Sequence, residues 1–147
     1  MNETVGRPME ILLIEDSLVD ARVTMLALRG RLLHRLTIIR DGAEGLEFLR
    51  RQGRFAKAPH PDLILLDLLL PKLSGLELLA EIKDDFELAS IPVVVLTSSD
   101  DDEARLRCNL LQVDQFITKP VDLEKFLEVV KNLRDHWHAD LILPPLE

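Results

Sequence analysis

Four apolar segments of this 147-residue chain are followed at once by acidic, hydroxyl or ammonium side chains. One of them ends at Asp67, and a carboxylate at the end of a strand lies where parallel-sheet proteins present their reactive groups. The other three segments end in the pair Glu15-Asp16, in Thr97 and in Lys119. Taken together, these side chains indicate a metal-assisted phosphoryl acceptor in which Asp67 is the nucleophile.

The acidic side chains predict a cation site. If the first and third strands are neighbours, Glu15, Asp16 and Asp67 converge at one edge of the sheet, where they repel one another and raise one another's pKa values. A hard divalent cation relieves this repulsion, and Mg²⁺ binds oxygen ligands while it keeps several waters. We therefore expect Mg²⁺ to be held by these carboxylates and by the backbone carbonyl of Leu69.

The hydroxyl and the ammonium fit the charge of a bound phosphoryl group. Thr97 and Lys119 can bind phosphoryl oxygens that the metal does not neutralise. Attack by the Asp67 carboxylate on a phosphoryl donor gives an acyl phosphate, so the protein has only to position the groups and to neutralise charge.

Composition limits the classes of partner. The chain has 18 basic and 26 acidic residues, a net charge of −8, which disfavours a nucleic-acid or anionic-membrane surface and favours a protein partner or a cation. Its 47% hydrophobic residues are enough for one core, so we predict a single domain over residues 1–147. The lone Cys108, the absence of a long apolar run and the absence of a signal pattern predict a cytoplasmic protein.

Short runs of Ile, Val and Leu alternate with amphipathic segments, which is the pattern of strands buried on both faces of a parallel sheet. Strands are predicted at about 10–14, 36–39, 63–66, 93–96 and 115–118. Helices are predicted from Ser17 to about Leu32, at 43–52, 75–84 and 101–111, and after Asp122 along an apolar stripe that ends at Trp137. The alternation predicts an α/β doubly wound five-stranded parallel sheet of order 2-1-3-4-5, with a crevice between strands one and three.

At these residues the chain resembles the receiver domains of two-component response regulators, which have a flavodoxin-like fold. The resemblance covers about residues 8–135, and its motifs are Ile14-Glu15-Asp16, Leu66-Asp67-Leu68-Leu69-Leu70-Pro71 with Ser74-Gly75, Leu96-Thr97-Ser98 and Phe116-Ile117-Thr118-Lys119-Pro120.

The resemblance implies that Asp67 accepts a phosphoryl group from a phosphohistidine on a sensor histidine kinase. It implies that Asp16, Asp67 and the Leu69 carbonyl hold Mg²⁺, with Glu15 acting partly through water. It also implies that Thr97 and Phe116 shift together when the protein is phosphorylated, and that the Lys119–Pro120 bond is cis.

More narrowly, the chain looks like the single-domain regulators that serve bacterial phytochromes. The cues are the proline-containing loop before Asp62, the stretch Leu79-Ala80-Glu81-Ile82-Lys83 and the C-terminal extension, residues 136–147. The resemblance implies a homodimer through the fourth and fifth helices, the last strand and this extension.

One residue departs from the family pattern. The second position after the acceptor is often Asn or another polar residue, and here it is Leu69. An apolar side chain beside the phosphoryl group hinders attack by water, so we expect slow self-dephosphorylation.

Three other functions compete with this interpretation. The chain could be a relay intermediate that passes the phosphoryl group to a histidine phosphotransfer protein. It could be a phosphatase of the haloacid-dehalogenase type, but those enzymes carry a second Asp at the position of Leu69. It could also be a dimerisation module that is not phosphorylated, although every residue needed for phosphorylation is present.

Overall fold

In a computed structural model, which describes residues 6–29, 32–98, 102–137 and 141–142, five parallel strands form one sheet of order β2-β1-β3-β4-β5. This order and the alternation of strands with helices confirm the predicted fold. The strands are β1 (Met9–Ile14), β2 (His34–Ile39), β3 (Leu63–Asp67), β4 (Val93–Thr97) and β5 (Gln115–Thr118). The helices are α1 (Leu18–Ala27), α2 (Gly42–Leu49), α3 (Gly75–Asp84), α4 (Asp102–Leu110) and α5 (Leu123–Asn132).

The apolar runs become the central strands because both of their faces are covered. Every residue of β3 and β4 is buried. Alternate side chains of β1 point into two cores, of which one packs against α1 and α5 and the other against α2, α3 and α4. Cys108 lies in the second core, as a small buried residue.

Side-chain caps set where the helices begin. The hydroxyl of Ser17 accepts a hydrogen bond from the amide of Asp20, and Asp122 caps α5 in the same way. Ser74 and Glu77 form a complete capping box at the start of α3. Because these caps can be recognised from residue type alone, the starts of α1, α3 and α5 agree with the prediction.

Some helix ends differ from the prediction. α1 ends at Ala27 instead of about Leu32, and α2 ends at Leu49 instead of Gln52. Leu28 caps the end of α1, and its amide donates to the carbonyls of Leu26 and Thr24. The predicted start of α4 at Asp101 lies outside the described residues.

The first residues of the C-terminal extension pack against this domain. Trp137 packs against the first core, and its indole N–H donates to the carbonyl of Asp62 over 2.7 Å. Leu141 is buried and forms a parallel bridge with Arg7. Arg7 in turn binds both carboxylate oxygens of Asp62. Arg7, Trp137 and Leu141 are therefore tied to the start of β3.

Within the described part of the chain, no helix has the length and apolar character needed to cross a membrane.

Candidate functional site

The carboxyl ends of β3, β4 and β5 meet at one edge of the sheet and carry the predicted side chains. Asp67 ends β3, Thr97 ends β4 and Lys119 follows β5. The strand register places Asp67 beside Leu96, and Thr97 beside Thr118. A cavity of about 210 Å³ opens at this edge, lined by Asp20, Asp67, Leu68, Leu69, Leu96, Thr97, Ser98, Ala104 and Lys119. The fold thus brings the predicted acceptor, hydroxyl and ammonium together.

A buried carboxylate pair lies at the base of the site. Glu15 follows β1 and is 1% exposed, and Asp67 is 7% exposed. Burial, followed by a hydrogen bond to Asp67, raises the pKa of Glu15 to about 7 against the lowering effect of Lys119. One oxygen of Glu15 also accepts a hydrogen bond from the amide of Ser17. The pair therefore needs positive charge close by.

Lys119 supplies that charge in this structure. Its ammonium nitrogen lies 2.8 Å from an oxygen of Glu15, 3.0 Å from one of Asp20 and 3.3 Å from one of Asp67. Burial by itself would lower the pKa of Lys119, but its hydrogen bonds to Glu15 and Asp20 and the charges of Asp67 and Glu15 raise it above its usual value. The ammonium therefore stays protonated across the physiological range.

Thr97 presents a buried hydroxyl at the same edge. Its oxygen makes no hydrogen bond to any residue that the structure describes. Leaving a buried hydroxyl unpaired is unfavourable, so Thr97 is ready to donate to an anion that enters the cavity. The Lys119–Pro120 bond is cis, as the resemblance implied.

Phe116 lies outside this cavity. The guanidinium of Arg105 in α4 stacks over its ring at 5.2 Å, and the same guanidinium donates to the hydroxyl of Thr118. Phe116 is in β5, next to β4, which carries Thr97. Arg105 links Phe116 to α4. Their joint movement on phosphorylation stays a prediction.

Leu69 contacts the site through both its backbone and its side chain. Its amide donates to one oxygen of Asp67 over 3.2 Å, which orients the carboxylate. Its side chain is 81% exposed and forms part of the cavity lining. An apolar group therefore stands at the entrance to the acceptor.

The predicted cation cluster is assembled only in part. Asp16 is exposed. The guanidinium of Arg40 donates to the backbone carbonyl of Asp16 over 3.1 Å and lies 3.8 Å from its carboxylate. Over the described residues, no group of three acidic, histidine or cysteine side chains is arranged to hold a metal ion. The oxygen ligands of Glu15 and Asp67 are of the kind that Mg²⁺ prefers, but Asp16 has to leave Arg40 to join them.

Two residues of the site were not predicted. Asp20 was interpreted only as part of a helix cap, yet its carboxylate binds Lys119. Arg40, at the end of β2, was assigned to a turn. The available signal for Asp20 was its place in the first turn of α1, directly after the acidic pair that follows β1.

Comparisons with known proteins agree with this geometry. A family model for the response regulator receiver domain matches residues 11–131. The chain is 39% identical to the response regulator Rcp1 of Synechocystis over 145 residues, covering 98% of this chain and 99% of that one. The Mn²⁺-bound structure of Rcp1 matches with a TM-score of 0.74 at 40% identity, over 94% of this chain and 100% of that one. The phosphorylated cyanobacterial phytochrome response regulator RcpA matches with a TM-score of 0.75 at 40% identity, over 94% and 99%.

Proposed function

The chain belongs to the response regulator receiver domains, and on that premise we propose that Asp67 accepts a phosphoryl group from a phosphohistidine of a sensor histidine kinase. The observation that carries the proposal is the single cavity shared by the Asp67 carboxylate, the unpaired Thr97 hydroxyl and the Lys119 ammonium. The three groups are the nucleophile, a donor and a cation that phosphoryl transfer needs.

The transfer is a simple displacement at phosphorus. A carboxylate oxygen of Asp67 forms the new O–P bond while the N–P bond of the phosphohistidine breaks. The electron pair of that bond stays on the imidazole nitrogen, which then takes up a proton from water. The Leu69 amide and the Lys119 ammonium hold the two oxygens of Asp67, and so they fix the carboxylate for attack.

The phosphoryl oxygens need donors once they arrive. The hydroxyl of Thr97 and the ammonium of Lys119 face the cavity and are placed to donate to them. Mg²⁺, bound by Glu15, Asp16, Asp67 and the Leu69 carbonyl, would offset the remaining negative charge of the phosphoryl group. The Mn²⁺-bound form of Rcp1 supports a divalent cation in this role.

The test is phosphorylation with a small donor. Incubation with phosphoramidate and Mg²⁺, followed by intact mass measurement, should add one phosphoryl group to the wild type and none to Asp67→Asn. Asp84→Asn is a matched control because Asp84 is an exposed carboxylate at the end of α3, away from the cavity. A phosphoryl group that persists in Asp67→Asn, or that never appears on the wild type, contradicts the proposal.

We propose a bacterial phytochrome as the cognate kinase and a protein contact as the output. Support comes from the likeness to RcpA, a cyanobacterial phytochrome response regulator. On α1, next to the cavity, Leu18 is 63% exposed and Val19 is 73% exposed, which offers a protein partner an apolar surface. Transfer from a phosphorylated phytochrome kinase should be much faster than transfer from an unrelated histidine kinase, and equal rates would contradict this assignment.

We propose that the protein is cytoplasmic, that residues 1–147 form one domain, and that it forms a homodimer through α4, β5, α5 and the C-terminal extension. The exposed side chains of Leu106 and Leu110 on α4 support an interface there. Trp137 itself packs inward on its own domain. Sedimentation of the wild type and of Leu106→Glu/Leu110→Glu tests this: we expect a dimer and a monomer, respectively.

A further inference from the structure

Asp20 lies in the first turn of α1 and has two separate contacts. Its backbone amide completes the helix cap by donating to the hydroxyl of Ser17. Its carboxylate takes no part in that cap and instead accepts a hydrogen bond from Lys119, which is 99 residues away in the chain. The side chain also lines the cavity that contains the acceptor.

The ammonium of Lys119 lies among three carboxylates in the unphosphorylated protein and donates a hydrogen bond to that of Asp20. It has three N–H donors, and three carboxylate oxygens lie within 3.3 Å of it, on Glu15, Asp20 and Asp67. A phosphoryl oxygen that approaches Lys119 therefore competes with these three carboxylates for the ammonium, and with Asp20 for a hydrogen bond already made.

Asp20 is the partner that is easiest to displace. The Glu15 side chain is fully buried and that of Asp67 is 10% exposed, whereas that of Asp20 is 42% exposed. Water can solvate the Asp20 carboxylate as soon as Lys119 leaves it, but it cannot reach Glu15. The exchange of Asp20 for a phosphoryl oxygen thus leaves no buried charge unpaired.

We propose that Asp20 is a positioning residue that holds the Lys119 ammonium in the unphosphorylated state and releases it to the phosphoryl group. This inference rests on the proposed function. Asp20 competes with the phosphoryl oxygens for the same N–H donor, and its charge also repels them. It therefore limits how strongly the site binds a phosphoryl group.

The test uses beryllium fluoride, which adds to an Asp carboxylate as a phosphoryl analogue. Its affinity for the full chain in the presence of Mg²⁺ can be measured by ¹⁹F NMR. Asp20→Asn should bind it about threefold more tightly than the wild type, a size typical of one partly exposed ion pair. Asp20→Ala is the second variant, since alanine favours the helix.

Three controls separate a positioning role from a general effect of charge. Asp20→Glu keeps a carboxylate and should return toward wild-type affinity. Glu87→Gln removes one negative charge from the loop before β4, at the far end of the sheet, and should leave the affinity unchanged. In the ¹⁵N NMR spectrum, the protons of the Lys119 ammonium should exchange with water faster in Asp20→Asn.

The outcomes distinguish this inference from the proposed function. Unchanged or weaker binding in Asp20→Asn and Asp20→Ala, or an unchanged Lys119 signal, overturns the role of Asp20 while the acceptor stands. If the wild type neither binds beryllium fluoride nor gains a phosphoryl group from phosphoramidate, the acceptor assignment fails instead.

Discussion

At the scale of single residues, Asp67, the proposed acceptor, is positioned by its immediate partners. One oxygen of Asp67 accepts from the Leu69 amide, and the other lies 3.3 Å from Lys119. Its neighbour Glu15 is buried beside it. The reactivity of Asp67 therefore depends on a backbone amide, a cation and a second carboxylate, and each can be tested separately.

Leu69 should lengthen the lifetime of phosphorylated Asp67. Its exposed side chain stands at the cavity entrance and gives an attacking water no hydrogen bond, so Leu69→Asn should speed dephosphorylation several-fold. The decay of the phosphorylated protein can be followed by intact mass after the donor is removed. Leu106→Asn, which changes an exposed leucine of α4, is the control, and equal decay in Leu69→Asn and the wild type would refute the role of Leu69.

Glu15 should make folding stability depend on pH when no metal is present. Its pKa in the folded protein is about 7 against an ordinary 4.5, so between these values the folded protein keeps a proton that the unfolded chain has released. The free energy of unfolding therefore falls as pH rises through this window. Glutamine has no titratable proton, so the free energy of unfolding of Glu15→Gln lacks this pH dependence. Its stability relative to the wild type should therefore rise from pH 5 to pH 8.

Urea unfolding in EDTA at pH 5, 6, 7 and 8 measures this difference. Glu87→Gln serves as the control, since Glu87 lies in the loop before β4, and its stability should follow the wild type at every pH. Parallel profiles for Glu15→Gln and the wild type would show that the Glu15 carboxyl is not perturbed by burial.

At the scale of elements, the start of α3 holds the loop that follows the acceptor. A Cβ on Gly75 would lie 2.4 Å from the Cα of Leu68 and 2.5 Å from the carbonyl oxygen of Asp67. The amide of Gly75 donates to the carbonyl of Leu68 over 3.0 Å. The helix and the loop are therefore in direct backbone contact, which only glycine allows.

Gly75→Ala should destabilise the protein by about 1–3 kcal/mol, because backbone atoms cannot move aside as a side chain can. It should also slow phosphorylation, since the added Cβ would push the backbone of Asp67 and Leu68 out of place. Gly45→Ala is the matched control: its Cβ would meet mainly the end of the Ile14 side chain at 2.9 Å, and alanine favours the helix. Chemical denaturation and phosphoramidate labelling should show little effect there, and equal effects of the two substitutions would contradict the backbone contact.

The elements also show where sequence patterns work and where they fail. Helix starts were predicted because a cap such as Ser74 or Asp122 acts on backbone amides only two or three residues away. The end of α1 was predicted about five residues too late. Apolar periodicity continues past Ala27, but the chain leaves the helix before β2 begins at His34. Periodicity alone does not show where a helix has to end so that the next strand can pair.

At the scale of the whole molecule, Arg7 and Leu141 meet at the edge of the sheet opposite Asp67. Arg7, Asp62, Trp137 and Leu141 connect the N-terminal segment, the start of β3 and the C-terminal extension. This part of the extension stabilises its own domain.

Trp137→Phe should lower the free energy of unfolding by about 1 kcal/mol, because it removes the hydrogen bond from the indole to the Asp62 carbonyl while keeping an aromatic ring. Circular dichroism in urea measures the change, since the variant has lost the only tryptophan. Phosphorylation of Asp67 should be unaffected. Unaltered stability with weaker self-association would instead place Trp137 at an interface between copies.

The sequence by itself determined the fold and most of the candidate site. Strands buried on both faces must be apolar, and chemistry-bearing side chains must follow them at their carboxyl ends, so Asp67, Thr97 and Lys119 could be located from local pattern alone. Only the tertiary structure decided which groups these residues contact. The pairs Lys119–Asp20, Arg40–Asp16 and Trp137–Asp62 join residues 99, 24 and 75 positions apart. Such pairs depend on how helices and loops pack on the sheet, and no periodicity along the chain encodes that packing.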